Sequence, residues 1–264
     1  KYNVPRIAFV NKLNLIGGDF EMSLKSIQDE LSSDAVAIQY PIGKEHEISG
    51  YVDLVTMKAY QYADEEKQEF VEIEIPTDIK ARVEELHDTL VEKVAEADDT
   101  LMEKYLEDGV LEVDEIYTAL RMHTLARKIF PVMGGDSRMA DTKVLLDAIC
   151  RYLPSPYQKV YTLHDPETGE LVEKLGKVVA VNTETKERVE LEIKEDEEFV
   201  ALVFKVAVDP HIGQLTFARI YSGTLNAGST VFNSTKGNRE RIGRVLLMHA
   251  NDREDISKAR AGDI

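Results

Sequence analysis

Asn11, Lys12 and Asn14 stand within four residues of one another, directly after the apolar run at 7–10. Two carboxamides that each donate and accept, with an ammonium between them, have the groups to read the polar edge of a purine base. The tetrapeptide Asn-Lys-Leu-Asn is a weak signal by itself, because so short a motif recurs by chance. A second polar turn, Gly134-Gly135-Asp136-Ser137, follows another short apolar run at 129–133.

Other chemistries find less support. The histidines at 46, 87, 123, 164, 211 and 249 have no His or Cys neighbour at metal-ligand spacing, which argues against a zinc site. No Gly-x-Ser-x-Gly elbow and no Ser/His/Asp or Cys/His arrangement can be read from spacing. The single cysteine, Cys150, excludes an internal disulfide and fits a reducing compartment; it reads as a buried thiol on an apolar helix face.

The elements that must carry the two turns follow from periodicity. Residues 4–10 read as a buried parallel strand, which needs neighbours; beginning at Lys1, the chain reads as cut from a longer protein. A helix is expected at 21–31 with Met22, Leu24, Ile27 and Leu31 on one face, and strands at 35–40 and 50–62. Thr77 is expected to cap one long helix carrying Ile79, Val83, Leu86, Leu90, Val94 and Leu101. Asp114 is expected to cap a helix at 115–128 with Ile116, Leu120 and His123 inward. A helix at 142–153 buries Leu145, Ala148, Ile149 and Tyr152, and ends at Pro154 because proline cannot continue it. From Tyr161 onward the pattern changes to short alternating strands, at 199–208, 214–222 and 239–248, the signature of an antiparallel barrel. The fold class therefore reads as α/β with a mixed α+β module, followed by an antiparallel β-barrel.

Of 264 residues, 43% are hydrophobic and 31% charged, a composition that excludes a disordered chain. No apolar run approaches the roughly 18 residues of a membrane span, and no secretory signal is present, so a cytoplasmic protein is expected. The net charge of −17 is concentrated: residues 64–115 hold 20 acidic against 5 basic side chains, whereas 199–264 hold 9 basic against 6 acidic. The first stretch suits a basic protein partner, and the second is where contact with RNA is electrostatically allowed.

Three longer stretches resemble translation elongation factor G: "VPRIAFVNKLNLIGGDF", "LLDAICRYLPSP" and "GQLTFARIYSGTLNAGSTVFNSTKGNRERIGRVLLMHANDREDISKARAGDI". The resemblance extends over essentially the whole chain. It implies that residues 1–20 are part of the second half of a GTPase domain and 21–128 an inserted subdomain. It implies further that 129–157 are the last strand and helix of the GTPase domain, and 162–264 most of the second, barrel domain. The implied partners are ribosomal: small-subunit RNA for the barrel, and the large-subunit stalk protein for the inserted subdomain. Neither membrane nor DNA is expected.

In that family Asn11 would meet the purine N7 edge and Lys12 would lie along the base. An Asp at 14 would accept from guanine N1–H and the 2-amino group together, the charge-assisted source of guanine selectivity. Asn14 here offers one acceptor and one donor, at an expected cost of about 1.5 to 3 kcal/mol for each charged hydrogen bond lost. The Gly-Ser-Ala loop that donates to guanine O6 corresponds to Gly134, Gly135 and Asp136, where a carboxylate would face an acceptor unless it turned to solvent. The resemblance implies GTP or GDP with Mg²⁺ as cofactor of the full-length parent. The phosphate loop, switch threonine and catalytic histidine would lie before Lys1, so the chain alone is expected to bind no nucleotide and hydrolyse no GTP. Arg219, Lys236, Arg239 and Arg241 are the expected RNA contacts, with Lys236 brought beside the two strand arginines by the Gly237 turn.

The implied function is that of a translocation factor coupling GTP hydrolysis to tRNA and mRNA movement. A second reading is a ribosome-binding relative that has lost nucleotide switching and acts by occupancy. Release factor 3 and the tetracycline ribosomal protection proteins match the barrel residues less well.

Overall fold

A computed structural model describes residues 4–64, 66, 68–158, 160–164, 171–209, 213–249 and 252–264. The chain divides into two units, Lys1–Pro154 and Ser155–Ile264.

In chain order the first unit contains β1 (Ala8–Asn11), α1 (Phe20–Glu30), β2 (Ala35–Ala37), β3 (Gln39–Ile42), β4 (Gly50–Asp53) and β5 (Lys58–Tyr62). There follow β6 (Phe70–Ile73), α2 (Lys80–Glu96), α3 (Asp99–Asp108), α4 (Val113–Leu125), β7 (Phe130–Gly135) and α5 (Asp141–Tyr152). A parallel sheet has the order β1-β7-β2, and an antiparallel meander runs β3-β4-β5-β6. One continuous core joins them, with Leu90, Leu120 and Val132 fully shielded from water. Each such side chain contributes about 1.5 to 3 kcal/mol relative to exposure.

Local chemistry sets the helix ends. Asp19 caps α1 by accepting from the Met22 amide at 2.9 Å. The apolar stripe expected to form one helix from Thr77 is two helices. Asp98 accepts from the amides of Thr100 and Leu101 and starts α3 afresh, and α2 begins after Ile79 with no side-chain cap. The cap of α4 is Glu112 rather than Asp114, in a reciprocal capping box with Glu115.

Several expected burials are corrected. Met22 and Leu31 are 64% and 80% exposed, so the buried face of α1 rests on Phe20 and Leu24. On α5, Ala148 and Tyr152 are buried, whereas Ile149 and Cys150 face solvent. β1 is half-buried and begins at Ala8, and among the described residues it pairs with β7 alone.

The second unit contains β8 (Val160–His164), β9 (Leu171–Leu175), β10 (Lys177–Val181), β11 (Arg188–Glu192), β12 (Val200–Asp209) and β13 (Gly213–Ser222). After these come β14 (Thr224–Asn226), β15 (Thr230–Asn233), β16 (Asn238–Arg241), β17 (Val245–His249), β18 (Asp252–Ile256) and β19 (Lys258–Arg260). Successive strands pair as antiparallel hairpins, except that β14 pairs with β19. Two backbone bonds link β13 to the segment after β19, with Ile220 N donating to Asp263 O and Gly262 N to Ile220 O, both at 2.9 Å. Each ladder is two-stranded among the described residues, so antiparallel pairing is observed and barrel closure remains an expectation.

Candidate functional site

In the parallel sheet Asn11 lies opposite Gly135, so the two polar turns leave the ends of neighbouring strands side by side. The crevice beyond the carboxyl ends of parallel strands is where open α/β sheets bind ligands. Asn11 joins the turns: its Oδ1 accepts from the Lys12 amide at 2.8 Å and from the Ser137 amide at 3.1 Å. Lys12 adopts φ 64°, and the Leu15 amide closes back on its carbonyl at 3.1 Å. Leu13 is 2% exposed and packs beneath Gly134, where an added Cβ would lie 2.7 Å from Leu13 Cδ1. Asn14 is half-buried, with its Oδ1 shielded from solvent and without a hydrogen-bond partner.

Asp136 is corrected. It is 3% exposed and does not turn to solvent. Arg138 folds back on it: the backbone N–H and Nε donate to Oδ1 at 3.0 and 3.2 Å, and Nη2 donates to Oδ2 at 3.0 Å. Asp141, at the start of α5, holds the same turn. Its Oδ2 accepts from the Asp136 amide at 2.9 Å and from the Tyr62 hydroxyl at 2.6 Å. Burial, and then this bond to Asp141, push the Tyr62 phenol above its usual range. Gly135 is required here, since a Cβ would sit 2.5 Å from Asp141 Cγ.

The backbone amides of the 136–139 turn are already engaged. The Asp136 amide is given to Asp141, Ser137 to Asn11, Arg138 to Asp136 Oδ1, and Met139 to the Asp136 carbonyl at 2.9 Å. None of these four is left for an O6 acceptor, and the carboxylate that would take both guanine donors is replaced by Asn14.

Sequence reasoning placed Asn11, Lys12, Asn14, Gly134, Gly135 and Asp136 together, and the structure brings them together. It missed Tyr62, Arg138 and Asp141. An acidic residue opening a helix is a readable signal for Asp141; nothing local marks Tyr62, 79 residues away.

The cationic residues lie in the second unit. On the β15–β16 hairpin, Arg239 pairs with Phe232 and Arg241 with Thr230, placing all four on one exposed face. Lys236, in the turn of the same hairpin, donates from Nζ to Glu240 Oε1 at 3.2 Å. Arg219, half-buried on β13, lies in register with Leu202 rather than beside β16. Among the described residues no group of His, Cys, Asp and Glu is placed to hold a metal ion, and no helix is long and apolar enough to cross a membrane.

Residues 198–264 match the family model for elongation factor G domain 2. The chain is also similar to a crystal structure of ttk003000868 from Thermus thermophilus, with a TM-score of 0.70 and 25% identity. That similarity covers 98% of this chain and 33% of the other, so the chain spans about a third of that protein's length. The family match is confined to residues 198–264, a stretch of the second unit.

Proposed function

We propose that the chain is an internal portion of a ribosomal translocation factor, whose full-length form couples hydrolysis of Mg²⁺-bound GTP to movement of tRNA and mRNA in the cytoplasm. The observation that carries the reading is the Arg239–Arg241 face, because it lies inside the residues that match elongation factor G domain 2. Residues 1–20 and 129–157 are the GTPase-domain part, 21–128 the acidic inserted subdomain that meets a basic stalk partner, and 162–264 the RNA-facing barrel. The chain itself supplies no catalytic residue. Its guanidinium groups act as phosphate contacts that position the factor on ribosomal RNA without reading bases.

Ribosome binding by the full-length parent tests this. Arg239→Ala with Arg241→Ala should weaken binding and flatten its salt dependence by about 0.7 to 0.9 log units for each phosphate contact removed. Lys236→Ala should do less, its charge being already shared with Glu240. An unchanged salt slope in the double variant would return the hairpin to ordinary solvated surface.

The committed amides of the 136–139 turn favour a second reading, in which the parent occupies the ribosome without nucleotide switching. Guanine-nucleotide titration of the parent separates the two: micromolar or tighter binding, strengthened by Asn14→Asp, supports the GTPase, and no binding supports the occupant.

A further inference from the structure

We propose that a tyrosine-walled cleft in the first unit binds a small, neutral, planar molecule bearing a carboxamide or lactam edge. The inference makes no use of the nucleotide or ribosome reading. The cleft, about 240 Å³, lies between the β3–β5 part of the meander, α4 and α5. Pockets for drug-sized ligands run to roughly 300 to 1,000 Å³, so this one suits a single substituted ring.

Gln39 selects the ligand. It lines the cleft from β3 and is 2% exposed, yet neither Oε1 nor Nε2 has a hydrogen-bond partner; Thr56 Oγ1, also lining the cleft, is a third buried atom without one. An unmade bond at a buried polar group costs about 1 to 3 kcal/mol, and two on one side chain is a departure that calls for a partner. A carboxamide is matched by a neutral group presenting an acceptor beside a donor. A carboxylate, with acceptors only, leaves Oε1 unmet, and it meets two carboxylates, Asp53 and Asp147, against one guanidinium, Arg151, in the cleft wall. An ammonium, with donors only, leaves Nε2 unmet.

The walls favour a flat ring. Tyr51 and Tyr60 stack with centroids 5.3 Å apart, and the Arg151 guanidinium lies 4.0 Å over the Tyr117 ring. Tyr117 is fixed by donating its hydroxyl to Asp53 Oδ2 at 3.2 Å. The other oxygen of Asp53 accepts from the amides of Val55 and Thr56, which leaves this carboxylate little further capacity. Burial holds the Tyr51 phenol above its usual range and pushes Tyr117 up to about 12, so both meet a ligand as neutral hydroxyls at physiological pH.

Nicotinamide, titrated into the 264-residue chain and followed by amide NMR shifts, is the test, with nicotinate and benzylamine as the acidic and cationic comparisons. We expect millimolar binding of nicotinamide with shifts at Tyr51, Asp53, Thr56 and Tyr60, and at least tenfold weaker binding of the other two. Gln39→Met, which keeps length and removes the amide, should weaken nicotinamide tenfold or more and raise the melting temperature of the ligand-free chain. Thr56→Val should weaken binding by a smaller factor and carries the same readout if the Gln39 variant fails to fold. The proposal is overturned by no shifts at tens of millimolar nicotinamide, by equal binding of nicotinate or benzylamine, or by full binding in the variants. A folded Gln39→Met chain no more stable than its parent would overturn it too, since the amide would then be satisfied by water alone.

Discussion

The Tyr62 hydroxyl donates to Asp141 Oδ2 at 2.6 Å, joining the end of β5 to the first residue of α5. The same oxygen receives the Asp136 amide at 2.9 Å, so one carboxylate ties the meander to the turn beside Asn11. Tyr62→Phe keeps the ring stacked on Phe70 and deletes only the hydroxyl. It should cost about 1.5 to 3 kcal/mol in urea unfolding, the range for hydrogen bonds to charged groups. Faster hydrogen exchange should appear at Asp136 and Ser137. Unchanged exchange at those amides would mean that the turn does not depend on Tyr62.

Asn14→Asp in this chain places a carboxylate oxygen where Oδ1 is buried and unpartnered. The variant carboxyl should then have a folded pKa above its unfolded value of roughly 3.9. Its penalty is present above the folded pKa and vanishes below the unfolded one. The variant is therefore expected to be less stable than its parent by about 1 to 3 kcal/mol at pH 7 and equal to it near pH 3. A pH-independent difference in melting temperature would contradict this account of the site.

His123 is 5% exposed on α4, and its Nε2 has no hydrogen-bond partner. Burial first, then the nearby Lys128 charge, hold its pKa below the ordinary 6.5, while Asp98 acts the other way. The unfolded chain thus binds this proton first as pH falls, so stability declines from about pH 6.5 down to the folded pKa and then levels. Thermal melts of His123→Leu should lack that part of the slope. An identical slope in parent and variant would assign it to other groups.

Arg82 grips Glu21 with two bonds of 2.7 Å, joining α2 to α1. The Arg82 hydrogen bond is the largest cause holding the Glu21 carboxyl below the usual range of a glutamate. Its contribution is complete above the unfolded pKa and is lost as pH falls through the folded one. Both side chains are about a third exposed, so screening limits the pair to about 1 kcal/mol at most. A double-mutant cycle with Glu21→Gln and Arg82→Ala measures it, and the coupling should shrink in high salt.

Periodicity made α1, α4 and α5 legible because each buries one face, and the turns at Asn11 and Gly134 were legible because each ends a short apolar run. Breaks inside a periodic stripe were not: Ala97-Asp98 interrupts α2 and α3 through a capping bond that competes with an uninterrupted apolar pattern. Charge partners were also hidden. The capture of Asp136 by Arg138, and of Lys236 by Glu240, depends on which side-chain conformers the packed turn permits, and alternation along a strand does not encode that.

The β1-β7 register pairs Ala8 with Val132, and everything between them in the chain belongs to the meander, α1–α4 and β2. Contacts that close so long a loop are entropically late, whereas hairpins such as β4–β5 close locally. The crevice at Asn11 is therefore expected to be the last part of the first unit to assemble and the first to open. Pulse-labelling exchange should protect the amides of β4 and β5 before those of β1, and denaturant should release them in the reverse order.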